Sequence, residues 1–393
     1  MKAMSIRFPY SQPEVTDADI SAVVASLRGT QLTQGPKLAA FEATLASVLG
    51  ARHAVACNSG TAALHLAYLA LGLGPDRGLL TSPITFLSTA NAARMCGAPV
   101  AFADVSPETG NLTPDTLAAA FDTLTIPAAA VTAVHLAGRS CDMPALRALT
   151  ASRGVPLVED ASHAPLATYS DQTGSKYRVG ACAHSDIAVF SFHAIKHIAM
   201  GEGGALLTND DRLAQRARLL RSHGMTRDPA DWRAAPEPHA PWYYEMHEVG
   251  WNYRACEMQC ALGLSQLRRL EDGIARRRAI AARYDALLVG ANYLKVPPPD
   301  DGHVWHLYPL AIDFAAIGKS RGEVMRALAA RGIGSQVHYI PLYGQPYYRN
   351  GNHRTLPNAE AYYASTLSIP MYLGLSEADQ CEIVAALAGI LDR

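Results

Sequence analysis

The sequence predicts an open α/β fold. A large domain over residues 11–250 is built on a mostly parallel sheet covered by helices, and a smaller α+β domain follows over 251–393, with residues 1–10 reaching back to line the site. Three observations predict it. Between about residues 50 and 210, short apolar, β-branched runs alternate with helix-like stretches, as in parallel sheets with helices on both faces. The alternation stops at 225–250, a proline- and aromatic-rich stretch longer than most connections in compact domains, which reads as a functional loop. After it come a long helical stretch, a break at PPPDDG (297–302), and shorter elements of mixed type.

The strands are expected at HAVAC (53–57), LLTSP (79–83), VAFADV (100–105), AAAVTAV (128–134), VPLVED (155–160), IAVFSF (187–192) and ALLTN (205–209). Helices are expected between them at 61–71, 88–96, 114–121 and 143–153. The third opens on Pro114, where a missing amide hydrogen costs little because first-turn amides have no helical partner. A helix over 257–288 carries Arg268, Arg269, Arg276, Arg277 and Arg278, a run that reads as a solvated face. Strands at HLYPLAI (306–312) and SQVHYI (335–340), with helices within 321–331 and at 377–391, make up the small domain.

Composition narrows the function. The 393 residues hold 34 Lys plus Arg against 35 Asp plus Glu, a net charge of −1, so the basic footprint of a nucleic-acid binder is missing. Hydrophobic residues at 49% and charged residues at 18% place the chain among folded globular proteins. The start, MKAMSIRFPYSQPE, lacks an apolar run of signal-peptide length, and no window offers the roughly eighteen apolar residues of a membrane span. Seven cysteines without a CxxC pair suggest neither a disulfide framework nor a zinc site, so a reducing cytoplasm is expected.

Three segments carry chemistry. Strand HAVAC runs through Asn58, Ser59, Gly60 and Thr61 straight into a helix, which aims free amides, hydroxyls and a positive helix end at one point and suits a phosphate. A capped helix start without a ligand would look the same. No GK[ST] follows and no GxGxxG, so ATP and dinucleotides lose their best evidence. Asp160 ends strand VPLVED ahead of Ser162 and His163, at the strand end where open α/β sheets bind ligands. It could equally cap the next helix; no complementary ligand cluster makes it a metal site, and no metal is expected. Lys196 follows strand IAVFSF between His193 and His197 and before a glycine-rich turn, a setting that lowers a lysine pKa and frees its amine. A lysine, an aspartate thirty-six residues upstream and a phosphate seat together match the needs of pyridoxal 5'-phosphate. Phe86, after the second strand, is a candidate to stack on the ring.

The runs FSFHAIKHIAMGEGGALLTND (190–210), CNSGTAALHLAYLAL, TSPITFLSTANA, VEDASHA and NYRACEMQCALGLSQL resemble the sugar-nucleotide aminotransferases of fold type I pyridoxal-phosphate enzymes, the DegT family, across nearly the whole chain. The resemblance implies that Lys196 is the Schiff-base lysine and proton shuttle and Asp160 the partner of the ring nitrogen. It puts Ser59, Gly60, Thr61 and Ser191 around the phosphate, Phe86 over the ring and His163 near its phenolic oxygen. It further implies a homodimer with shared sites, in which Asn252 reaches the neighbour's phosphate. Tyr10, Gln31, Thr33, His193, Arg254, His338 and Tyr339 would line the sugar-nucleotide pocket, with Arg221 a looser match. Glutamate would be the amino donor and pyridoxamine 5'-phosphate the carrier in a ping-pong reaction. FPYS, TQLTQGPK (30–37), RSHGM (221–225) and QVHYIPLYGQPYY (336–348) most resemble members that aminate C4 of a UDP-4-keto-6-deoxy-N-acetylhexosamine. Members making perosamine-like or 4-amino-arabinose products, and a non-catalytic regulator that senses the cofactor, are the alternatives. One departure stands out: His197 occupies a place where the family usually has asparagine or proline, and Ile198-Ala199-Met200 lacks its usual hydroxyls.

Overall fold

The computed structural model describes residues 6–234, 240–349 and 356–392. In chain order its elements are α1 (Asp17–Leu27), α2 (Pro36–Leu49), β1 (His53–Cys57), α3 (Gly60–Ala70), β2 (Gly78–Thr81), α4 (Leu87–Met95), β3 (Val100–Phe102), α5 (Pro114–Asp122), β4 (Ala128–Val134), α6 (Met143–Ser152), β5 (Leu157–Asp160), β6 (Thr168–Ser170), β7 (Lys176–Arg178), β8 (Ile187–Ser191) and β9 (Gly204–Thr208). The second half holds α7 (Asp211–Arg221), β10 (Met225–Thr226), β11 (Glu245–Met246), α8 (Glu257–Leu267), α9 (Leu270–Leu288), β12 (Leu294–Lys295), β13 (Tyr308–Ile312), α10 (Arg321–Ala329), α11 (Pro357–Ser365), β14 (Thr366–Ile369) and α12 (Glu377–Leu391). No helix among the described residues is long and apolar enough to cross a membrane.

The large sheet has the order β1-β9-β8-β5-β4-β2-β3. Its strands run parallel except β9, which lies antiparallel to both β1 and β8. Strands such as AAAVTAV are buried almost throughout, without alternation, because helices cover both faces. Alternate residues feed different cores: Val131, Ala133, Leu157 and Ala188 pack on one face, Ala130, Val158, Ile187 and Val189 on the other. In the small sheet, β13 lies between β12 and β14, all antiparallel. Here Tyr308, Leu310 and Ile312 alternate with less buried neighbours, because one face alone meets a core. That core also takes Phe8 from the N-terminal segment and Ile383, Leu387 and Ile390 from α12.

The expected helix over 257–288 is two helices, broken at Arg268 and Arg269. The arginine run is not a solvated face. Arg268 and Arg278 are exposed, but Arg269 pairs with Glu14 and Asp19, Arg276 donates to the Leu373 and Leu375 carbonyls, and Arg278 reaches the His303 carbonyl. Arg277 is buried, and its Nη1 donates to the Trp305, His306 and Met371 carbonyls. A guanidinium offers five donors, enough to satisfy chain ends where no strand partner exists. Helix α9 thereby ties the two cores together: Leu270 and Ile274 belong to the first and Ile280 and Tyr284 to the second.

The SQVHYI segment is not a strand. Gln336 alone pairs, with Ser368, and the chain then leaves the sheet to line a cleft. The 225–250 excursion returns on itself through the pair β10 and β11, with Trp232 and Tyr243 edge to face at 4.8 Å; its residues 235–239 lie outside the described chain.

Candidate active site

A cleft of about 620 Å³ opens at the carboxyl ends of β1, β5 and β8, where α/β sheets place their ligands. Its floor at the β1 end is the start of α3. Ser59 caps this helix, its Oγ accepting from the Ala62 N–H at 3.1 Å. Two glycines let the backbones close here: a Cβ on Gly60 would stand 2.8 Å from Ser191 Cβ, and one on Gly204 would stand 2.3 Å from the Ser59 carbonyl oxygen. Ser59, Gly60, Thr61 and Ser191 thus line one end of the cleft, with the helix N-terminus among them. Hydroxyls and unspent first-turn amides around a helix start fit a phosphate group.

Asp160, at the end of β5, is buried on the same cleft. Its Oδ2 accepts from Thr89 Oγ1 at 2.8 Å and its Oδ1 from the Ser162 N–H at 3.2 Å. On the opposite side of the strand Glu159 is fully buried and accepts from Ser185 Oγ at 2.5 Å, with His135 Nε2 at 3.0 Å, which anchors the strand end. Phe86, just before α4, leaves 57% of its surface exposed although it lies in the cleft, so its face is free for a planar ring.

Lys196 lines the cleft as well. Burial brings its amine down to about 8, against the opposing pull of the Asp160 charge. Around it stand histidines that burial keeps neutral: His163, pushed well below the usual range by burial and then by the Lys196 charge, and His338, pushed down to about 3 for the same two reasons. His163 Nδ1 accepts from the Ala137 N–H at 3.3 Å, so its proton sits on Nε2, 3.5 Å from the Tyr339 hydroxyl. His306 lies against the His163 ring at 4.3 Å between centroids. His338 is held by Ser368 Oγ at 2.9 Å, and Tyr10 packs near it at 5.7 Å between rings.

The fold therefore brings Tyr10, Ser59, Gly60, Thr61, Phe86, Asp160, His163, Ser191, His193, Lys196, His338 and Tyr339 to one cleft. Gln31, Thr33, Asn252 and Arg254 do not line the cleft of their own chain. Thr33 bridges to Cys256, whereas Asn252 bridges to Ser222 and its carbonyl accepts from Asn58 Nδ2 at 3.4 Å; Gln31, Thr33 and Asn252 are exposed. Arg221 is absent from the cleft as well: it is buried, pairs with Glu42 and donates to the Ala56 carbonyl at 2.7 Å, a role in the packing of α7 against β1. Sequence reasoning missed Thr85, Thr89 and His306. Two threonines four apart around Phe86, at a helix start, were the available signal for the first two.

Residues 13–388 match the DegT/DnrJ/EryC1/StrS aminotransferase family. The chain belongs to that family. Its members are pyridoxal-phosphate-dependent sugar aminotransferases, and the lysine, acid and phosphate seat described above fit that cofactor. The chain is 40% identical over 389 residues to the spore coat polysaccharide biosynthesis protein SpsC of Bacillus subtilis, covering 98% of this chain and 97% of SpsC. Among solved structures it is similar to Helicobacter pylori PseC, an aminotransferase involved in the biosynthesis of pseudoaminic acid, with a TM-score of 0.88 and 31% identity over 98% of this chain and 99% of that one. Spr1654 of Streptococcus pneumoniae, solved in pyridoxal and pyridoxamine phosphate forms, is 26% identical with a TM-score of 0.87 for the latter, over 98% of this chain and 99% of that one. The fold is accordingly that of the fold type I aminotransferases, with the mostly parallel sheet expected from the sequence.

Proposed function

We propose that this aminotransferase moves an amino group from glutamate to C4 of a UDP-4-keto-6-deoxy-N-acetylhexosamine, the step that leads to pseudaminic-type sugars. One observation carries the catalytic part: a lysine whose charge is disfavoured shares a cleft with a buried carboxylate and a glycine-lined helix start. The likeness to PseC over nearly the full length supports the substrate class.

When bound, pyridoxal phosphate supplies an electron sink for the negative charge that develops on the carbon bearing the transferred nitrogen. Ser59, Gly60, Thr61 and Ser191 would hold its phosphate, Phe86 would cover its ring, Asp160 would take the ring nitrogen and His163 would lie by the phenolic oxygen. Lys196, as a neutral amine, would take the proton from the substrate carbon and hold it at Nζ, acting as the general acid/base. Burial lowers the amine of Lys196 and so favours the neutral form this role needs. Neutral His163 and His338 add no competing charge at the cleft wall.

Tyr10, His193, His338 and Tyr339 bind the sugar nucleotide from the same chain, whereas Gln31, Thr33 and Arg254 do so from the partner, and Asn252 reaches the partner's phosphate. A two-fold homodimer is supported by apolar side chains left uncovered: Ile20, Val24 and Leu27 at helical spacing on α1, and Trp242 and Val249 at 71% and 72% exposure. Nucleotide sugars and glutamate are cytoplasmic metabolites, so the same reading puts the enzyme in the cytoplasm. The test is mass spectrometry of products after offering several UDP- and dTDP-4-keto sugars with glutamate. A 4-amino product from the UDP-N-acetyl substrate is expected; turnover confined to dTDP sugars, or to other amino donors, overturns the assignment.

A further inference from the structure

Asp160 is tethered by an arrangement that the lysine-and-acid chemistry does not by itself require. Its Oδ2 accepts from Thr89 Oγ1 at 2.8 Å, and Thr89 Oγ1 lies 2.8 Å from Thr85 Oγ1. Both threonines are buried, Thr85 at 2% and Thr89 at 0% exposure, so these hydroxyls have little access to water as an alternative partner. The direction of the chain follows from counting protons. An ionised carboxylate only accepts, so Thr89 commits its single hydroxyl proton to Asp160 and its oxygen is left to accept from Thr85. Thr89 is in turn pinned through its backbone: its carbonyl accepts from Tyr68 at 3.1 Å, and Tyr68, fully buried, also meets Thr132 Oγ1 at 3.0 Å.

The last torsion of an aspartate is broad and two-fold, so a carboxylate held at one oxygen swings. The Ser162 N–H on Oδ1, at 3.2 Å, is the longer of the two tethers. The second comes from another element, α4, of which Phe86 is the N-cap; the Thr89 N–H donates to the Phe86 carbonyl at 3.3 Å. One helical turn thus carries both the ring in the cleft and the hydroxyl on the acid.

We propose that Thr89, itself oriented by Thr85, is a positioning residue that fixes the Asp160 carboxylate toward the cofactor's ring nitrogen. This rests on the reading of Asp160 as the ring-nitrogen partner. Thr89 touches no reacting atom; it acts through Asp160, and through the shared turn it couples the aim of the acid to the seating of Phe86.

The test uses the holoenzyme and three variants: Thr89→Val, which keeps the shape and removes the donor; Thr89→Ser, which keeps the donor; and Thr85→Val, which leaves the Thr89 hydroxyl without its orienting partner. Two readouts are taken, the ¹⁵N resonance of cofactor labelled at the ring nitrogen and the single-turnover rate with glutamate. Thr89→Val is expected to move the resonance toward the unprotonated ring and to slow the single turnover about tenfold to a hundredfold, the range for one hydrogen bond to a charged group. KM for glutamate should hardly change. Thr89→Ser should restore both readouts to within about threefold, and Thr85→Val should fall between the two. An unmoved resonance in Thr89→Val overturns the proposal, as does an equal loss in Thr89→Ser. If Thr89→Val does not fold, Thr85→Val decides alone, and a wild-type resonance and rate there overturn it. Asp160→Asn separates the two claims: wild-type turnover in that variant removes Asp160 from the site, whereas a crippled Asp160→Asn beside a wild-type Thr89→Val sinks the positioning role only.

Discussion

The strongest quantitative consequence of the cleft is that Lys196 costs the protein stability in its charged form. Its amine titrates at about 8 in the fold and at 10.5 in an ordinary environment, with burial as the main cause. Each factor of ten is about 1.4 kcal/mol, so holding the ammonium in the cofactor-free cleft costs roughly 3 kcal/mol, a ceiling because Lys196 retains some contact with solvent. The sign follows from proton binding. Between about 8 and 10.5 the unfolded chain binds the lysine proton that the folded chain has released, so this contribution to stability rises with pH across that window. Below it the penalty is complete, and above it the penalty is gone. Lys196→Met, apolar and of similar length, removes the penalty at every pH. The assay is urea unfolding of the cofactor-free wild type and variant at pH values from about 7 to about 10. The variant should be the more stable by up to roughly 3 kcal/mol near pH 7, and the gap should close as pH approaches 10.5. A pH-independent difference, or a variant less stable throughout, would refute the reasoning, because the amine would then not be held in an environment that disfavours its charge.

Asp160→Asn should keep much of the bound cofactor yet slow single turnover about a hundredfold to a thousandfold, since an amide does not stabilise a protonated ring nitrogen as a carboxylate does; wild-type rates would contradict this. Gly60→Ala should weaken cofactor binding in equilibrium dialysis, because its Cβ would stand 2.8 Å from Ser191 Cβ; unchanged affinity in this variant would show that the cradle tolerates a side chain. Dimers reassembled from Lys196→Ala chains and chains altered at Asn252 should regain activity in about half of their sites, since a two-fold dimer then holds one doubly defective and one intact site. No recovery, despite mass-spectrometric proof of mixed dimers, would mean that Asn252 does not act across an interface.

Much of the site was legible in the sequence because its chemistry sits in short contiguous segments at strand ends. Ser59 and Gly60 follow β1, Asp160 closes β5, and Lys196 comes five residues after the end of β8, so recognising the strands was enough to bring the three to one edge of a sheet. The aminotransferase motifs carried the family in the same local way. Pattern failed where a residue's meaning depends on what arrives from elsewhere in the chain. The arginines of α9 have the spacing of a solvated face, yet Arg277 is buried because carbonyls at 305, 306 and 371 converge on it. The SQVHYI segment alternates like a strand, but the small sheet takes Gln336 alone and the rest turns to wall the cleft. Nothing in TSPITFLSTANA says that Thr89 meets an aspartate seventy-one residues away; that contact exists because the sheet order sets β2 and β5 on either side of β4, and α4 starts over the end of β5. The sequence by itself determined which groups bring chemistry, since side-chain type and helix or strand periodicity are local properties. Only the tertiary structure decided which of them meet, because strand order and the burial it imposes are set by the packing of the whole chain.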